Sequence, residues 1–221
     1  MNLLNNFLGR KIKKELLAQE SINFEQKIMR ETVGSQDQIA ATYGGFNKII
    51  FRSGGGFNVR QVSVKKKIIQ ELNKNLLLVY TGIDRTAHYI AKSYIKKLQT
   101  SKRSYILEIS NFVKEGEKFL NKGDLSHFGK LLHESWLVKK CLSSSISNSR
   151  IDEIYNDVMK KGALGGKLLG AGGGGFFLFY IPYYKQKSII NHFKKLITIP
   201  FNFTSEGSKI LFKTIDDKIN V

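Results

Sequence analysis

Apolar residues recur along this chain with two different periods. Near the start, Leu4, Leu8, Ile12 and Leu16 fall four apart, with Leu3 and Phe7 beside them. That spacing predicts one amphipathic helix, which Gly9 weakens. A second short helix is predicted over residues 23–32. In "VGSQDQIAATYGG", Ser35 can cap, residues 36–43 can wind, and Gly44-Gly45 stops the helix. "FNKIIFRSGGGFNVRQVSV" has two strand-like runs about a glycine turn and predicts a hairpin. "LLLVY", residues 76–80, is apolar throughout and predicts a buried strand. "TGIDRTAH" predicts a turn into a helix, capped by Asp84 or Thr86. Helical patterns dominate residues 87–161, with breaks near Gly123-Asp124 and in "SSSISNSR". A strand is predicted over 176–181, a helix over 185–196, and closing strands over 197–203 and 208–213. The mixture predicts an α+β fold with helices on one face of a mainly antiparallel sheet. A change of composition near Lys74 marks a boundary between residues 1–74 and 75–221.

Composition narrows the class. The chain has 221 residues, 42% of them hydrophobic, which suits a globular protein with a core. Its longest apolar run falls well short of the ~20 residues a membrane helix needs. The N-terminus lacks the features of a signal peptide. The lone Cys141 excludes an internal disulfide and suits a reducing cytoplasm. No Cys/His cluster has zinc spacing, so no metal ligands are assigned. The net charge of +18 raises the question of a nucleic-acid partner. Only 7 of the 36 basic residues are arginine, however, and no aromatic residues interleave with them. That argues against nucleic acid. Part of the charge is enough to steer an anionic substrate.

Three segments are candidates for chemistry. "GALGGKLLGAGGGGFFLFY", residues 162–180, crowds glycines before an apolar strand. Read locally, Gly170, Gly172, Gly173, Gly174 and Gly175 lie between a helix-like segment and a strand. Such a loop can aim several N–H groups at one phosphate, or simply permit close packing. It lacks the GxxxxGK[ST] pattern, and a dinucleotide GxGxxG would need a strand before it. Asp37 in "GSQDQ" is the second candidate. It can be a helix-end anion, or, flanked by Gln36 and Gln38, a base for a substrate hydroxyl. Arg85, at the strand-to-helix turn, is the third: it can pair with a phosphate or lie on the surface. Trp136 reads as core or subdomain interface, and the four histidines as structural or solvated.

Together these segments resemble the GHMP kinases of sugars and other small molecules. "GGKLLGAGGGGFFLF" looks like that superfamily's third motif. "VGSQDQIAATYGGFNKIIF" and "LLLVYTGIDRTAHYI" look like the branch acting on heptose 7-phosphate and fucose, with heptose 7-phosphate kinases the best match. The resemblance implies an ATP-dependent sugar-phosphate kinase of the cytoplasm, using ATP and Mg²⁺. It implies Asp37 as catalytic base, and Gly170, Ala171, Gly172, Gly173, Gly174 and Gly175 as the loop near the nucleotide phosphates. Gln36, Lys167 and Arg85 are implied near the sugar phosphate. The implied fold is part of a ribosomal-S5-like domain over residues 1–74, then a ferredoxin-like domain over 75–221. The family's main phosphate loop, of the form PxxxGLGSS, is absent. The chain therefore resembles the C-terminal two-thirds of such a kinase. The expectation is weak or no activity alone, with an N-terminal kinase half as a possible partner; the alternative is a non-catalytic sugar-phosphate-binding remnant.

Overall fold

The computed structural model describes residues 1–84, 87–193 and 196–212. The chain divides into two compact units, residues 1–61 with 203–221, and residues 62–202.

In the first unit, the predicted leading helix is broken. Helix α1 (Asn2–Phe7) stops at Gly9, whose φ of 70° is left-handed, and α2 (Lys14–Asn23) starts afresh. The apolar stripe therefore does not lie on one helix. Leu4, Leu8 and Leu16 are exposed, and α2 instead buries Leu17, Ala18 and Ile22. The expected second helix is a single π-helical turn, Phe24–Ile28, ending before Arg30 at φ 58°. Helix α3 (Gln36–Tyr43) has the predicted bounds, and Gly44 stops it at φ 63°. Ser35 takes the N-cap position without a side-chain cap bond; its hydroxyl accepts from Gln26 Nε2 at 3.2 Å. Strands β1 (Asn47–Phe51) and β2 (Phe57–Gln61) form the predicted hairpin, with Asn47 opposite Gln61. Ala18, Ile22, Ile39 and Phe57 make the small core. A Cβ on Gly44 would lie 2.2 Å from the backbone of Glu206 and Gly207, so residues 204–208 run directly against the end of α3.

The second unit opens with α4 (Lys66–Asn75) and β3 (Leu76–Tyr80). Helices α5 (Ala87–Tyr94), α6 (Arg103–Lys122), α7 (Leu125–Lys140) and α8 (Ser149–Lys160) follow. Gly123 breaks α6 from α7 at φ 75°, and Asp124 caps α7 by accepting from the His127 N–H. Then come β4 (Gly165–Leu168), β5 (Phe176–Tyr180), α9 (Tyr183–His192) and β6 (Thr198–Ile199). The sheet order is β4-β5-β3-β6, antiparallel throughout. Strand, helices, two strands, helix and strand in that spatial order give the ferredoxin-like arrangement. The closing strands are shorter than predicted. Only Thr198–Ile199 pairs, and residues 208–212 form no strand.

One sheet face carries the core. Leu77, Val79, Leu168, Phe177, Phe179 and Ile181 pack with Trp136 of α7, Ile154, Tyr155 and Val158 of α8, and Ile189 of α9. Trp136 is fully buried, edge-on to Phe177 with ring centroids 5.6 Å apart. It is core, as expected; such aromatic pairs add about 1 kcal/mol beyond their buried area. His133 Nδ1 lies 2.7 Å from the Tyr155 hydroxyl and His127 Nδ1 2.7 Å from Asp124, so both histidines are structural.

Strand β4 was not anticipated. It exists because glycine lets two backbones meet. A Cβ on Gly165 would lie 2.0 Å from the Gly129 carbonyl oxygen and 2.8 Å from the His133 nitrogen, both on α7. A Cβ on Gly129 would in turn strike the Tyr180 ring at 2.6 Å.

Candidate functional site

The glycine loop joins β4 to β5. It therefore lies between two strands, not between a helix and a strand as read from its local pattern. No helix follows it, so no helix dipole reinforces it. The Leu169 N–H still donates to Phe176 O at 2.8 Å, extending the strand ladder by one step. Beyond that the loop divides into a packed half and an open half.

Gly172, Gly173 and Gly174 are buried. A Cβ on Gly172, at φ 111°, would lie 2.9 Å from Ile146 Cα, and one on Gly174 would lie 2.5 Å from Ile83 O. The Gly173 N–H donates to Ile146 O at 2.6 Å and the Gly175 N–H to Ile83 O at 3.0 Å. Thr81 returns two bonds, its N–H and its hydroxyl each donating to Gly175 O at 2.9 Å. These glycines are present for close packing, one of the two roles the residues left open. The open half is different. Gly170, at φ 64°, is exposed and has space around it. The N–H groups of Gly170, Ala171 and Gly172 have no acceptor among the described residues. Three successive unspent donors are the raw material of an anion nest.

A residue that the sequence did not single out holds this open half. Lys139, near the end of α7, is only 7% exposed. Its ammonium donates to Leu168 O at 2.7 Å and Gly170 O at 2.6 Å, and stands 6.0 Å over the Trp136 ring. It turns the loop's carbonyls inward, toward α7. Among 36 basic residues, nothing in its local pattern marks it. Replacing Lys139 by methionine strands the buried Leu168 carbonyl and frees the Gly170 carbonyl. The expected loss is about 2 kcal/mol, read from the urea midpoint; a loss under about 0.5 kcal/mol would remove Lys139 from this role.

Lys167 precedes the loop on β4. Its ammonium donates to Ser135 Oγ at 3.1 Å, and burial pushes its pKa below the ordinary lysine value. It is thus tied to α7. Arg85 lies outside the described residues. Asp84, the residue before it in the sequence, accepts from the Tyr80 hydroxyl.

In the first unit, Asp37 sits in the first turn of α3, where the helix N-terminus favours its anion. It is exposed, with no hydrogen-bond or ion-pair partner among the described residues. Gln36 is exposed beside it. Gln38 points the other way: it is buried, and its Nε2 donates to Glu25 Oε2 at 2.6 Å. The QDQ string thus splits into two open residues and one structural one. No group of three or more His, Cys, Asp or Glu that could hold a metal occurs among the described residues.

Residues 117–196, from α6 through the glycine loop to α9, match the family GHMP kinases C terminal. The chain is 32% identical over 199 residues to a D-glycero-alpha-D-manno-heptose 7-phosphate kinase from Campylobacter jejuni. The chain carries a GHMP kinase C-terminal domain. That match covers 87% of this chain and 58% of the Campylobacter enzyme, so the chain spans well under two-thirds of its relative. A candidate sugar kinase of known structure from Campylobacter jejuni superposes with a TM-score of 0.66 at 28% identity, covering 92% of this chain and 58% of that one. A D-glycero-D-manno-heptose 1-phosphate kinase from Bacteroides thetaiotaomicron gives 0.67 at 22% identity, over 95% of this chain and 60% of that one. At that identity the likeness concerns the GHMP kinase fold alone. No described helix is long and apolar enough to cross a membrane.

Proposed function

We propose that this GHMP kinase chain serves ATP-dependent phosphoryl transfer to a hydroxyl of a sugar phosphate, with D-glycero-D-manno-heptose 7-phosphate the best candidate. The observation that carries this reading is the similarity to a heptose 7-phosphate kinase over 87% of the chain. The residues fit the chemistry. Asp37 is an exposed carboxylate with no partner among the described residues, open to a sugar hydroxyl as its base. Gln36 beside it offers an amide to the same sugar. The unspent N–H groups of Gly170, Ala171 and Gly172 suit a phosphate oxygen, while Lys139 holds the Leu168 and Gly170 carbonyls away. Lys167 and Arg85 are the cations assigned to anionic groups of the substrate. Magnesium would arrive on the triphosphate and neutralise its charge. The setting we infer is the cytoplasm.

We further propose that turnover needs polypeptide beyond these 221 residues. The chain's 58% share of the Campylobacter enzyme supports this. So does the apolar surface of the first unit, where Leu3, Phe7 and Ile28 are 72%, 83% and 70% exposed. The test is ADP release with Mg-ATP and heptose 7-phosphate, by the chain alone and with a separately made N-terminal half of the Campylobacter kinase. Turnover only in the mixture is the expected result. Turnover by the chain alone would overturn the need for a complement. No turnover in either case, with the intact relative active, would favour a non-catalytic sugar-phosphate-binding protein.

A further inference from the structure

A trans peptide is planar, and its carbonyl and N–H point in opposite directions. Each carbonyl that Lys139 holds therefore sets the direction of the next residue's N–H. The Leu168 carbonyl accepts from the Lys139 ammonium at 2.7 Å. Across the same peptide, the Leu169 N–H donates to Phe176 O at 2.8 Å. That peptide is held from both edges. The Gly170 carbonyl accepts from the same ammonium at 2.6 Å. The Ala171 N–H of that peptide points away from Lys139 and has no acceptor among the described residues. This peptide is held at one edge and open at the other.

The restraint matters because of what flanks the peptide. Gly170 is exposed at φ 64° with open space around it, so packing does not fix the peptide's rotation. The next anchor, the Gly173 N–H on Ile146 O, comes two peptides later. Turned over, the Gly170 peptide would present its carbonyl oxygen, and an anion would meet a negative dipole end. The two faces are opposite in charge, and the ammonium bonds to only one of them. Its charge acts in the same direction. It sits at the negative end of the peptide dipole and so strengthens the positive end that faces out. Lys139 does this while buried. The adjacent lysine does not share the task, since the Lys140 ammonium pairs with Asp152 at 3.1 Å.

We propose that Lys139 is a positioning residue for phosphate binding. It acts through the peptide between Gly170 and Ala171, aiming the Ala171 N–H at a phosphate oxygen that the ammonium itself does not touch. This role rests on the reading of the glycine loop as a phosphate site.

The chain has seven alanines, so ¹⁵N-alanine labelling gives seven amide signals, and Ala171→Gly identifies the one from the loop. The labelled full chain is titrated with inorganic tripolyphosphate at about 0.15 M salt, which screens diffuse attraction to the net charge of +18. The expected result is a saturable shift of the Ala171 signal. Ala163, whose N–H already donates to Val158 O, should not move. Lys139→Met should weaken the affinity read from Ala171 about tenfold and displace its ligand-free signal. Lys139→Gln, a milder change, reads the same two quantities should the methionine chain not fold. Ile189→Thr places a hydroxyl in the core, away from the loop. It should lower the urea midpoint and leave the Ala171 affinity unchanged. No Ala171 shift in the parent up to about 10 mM tripolyphosphate would overturn both the phosphate site and this role. A parent shift with unaltered affinity in the Lys139 variants would overturn the role alone. So would an equal weakening in Ile189→Thr, which would make Lys139 a support of the fold.

Discussion

Gly165→Val is expected to cost about 4 kcal/mol or more, enough to abolish cooperative folding of the second unit at ordinary temperature. The reason is the identity of the atoms in the way. The first added carbon would lie 2.0 Å from the Gly129 carbonyl oxygen and 2.8 Å from the His133 nitrogen. Neither can rotate aside, because both belong to the backbone of α7. The helix must retreat from β4, and it carries Trp136 from the core and Lys139 from the loop as it goes. Gly170→Ala is the comparison. It meets open space but keeps a left-handed φ of 64°, so the expected loss is about 1 kcal/mol. Urea unfolding followed by circular dichroism reads both. A Gly165→Val chain within about 1 kcal/mol of the parent would mean that α7 and β4 do not touch as described.

The largest expected effect on activity is that of Asp37→Asn. In the reconstituted kinase, turnover should fall by about 10²–10⁴-fold, the range for loss of a general base. The KM for sugar phosphate should change little, since asparagine keeps the shape and hydrogen-bonding reach. Folding should survive. Asp37 is exposed and without a partner among the described residues, so the substitution removes about 0.5 kcal/mol of helix-end electrostatics at most. An increase in KM with turnover intact would instead make Asp37 a binding residue. No change in either would remove it from the site.

These two residues were unequally legible. Asp37 stood out because the segment around it carries a recognisable string, and α3 forms from local signals: a run of helix formers, then Gly44 in a left-handed turn. Hairpin β1–β2 and strand β3 were legible for the same reason, since turn glycines and an apolar run act over a few residues. Gly165 was opaque. "GGKL" has poor strand propensity and becomes a strand only because β5 pairs with it and α7 needs its lack of a side chain. The leading stripe failed in the opposite sense. Leu4, Leu8, Ile12 and Leu16 have helical spacing, but Gly9 turns the chain, and burial passes to Leu17, Ala18 and Ile22. The tertiary structure overrode the period.

The sequence by itself determined the class of fold and most elements between β1 and α8, and it marked the two segments proposed for chemistry. Those depend on local backbone preference and on side-chain types at short spacing, both written in consecutive residues. Only the tertiary structure decided how the glycines divide, with Gly172, Gly173 and Gly174 packed against Ile146 and Ile83 and with donors from Gly170 to Gly172 left unspent. It alone distinguished Lys139 from the other lysines, setting its ammonium on the Leu168 and Gly170 carbonyls. The physical reason is common to both. Whether an N–H or an ammonium is satisfied depends on which atoms distant in the chain come within about 3 Å of it, and no local pattern encodes that distance.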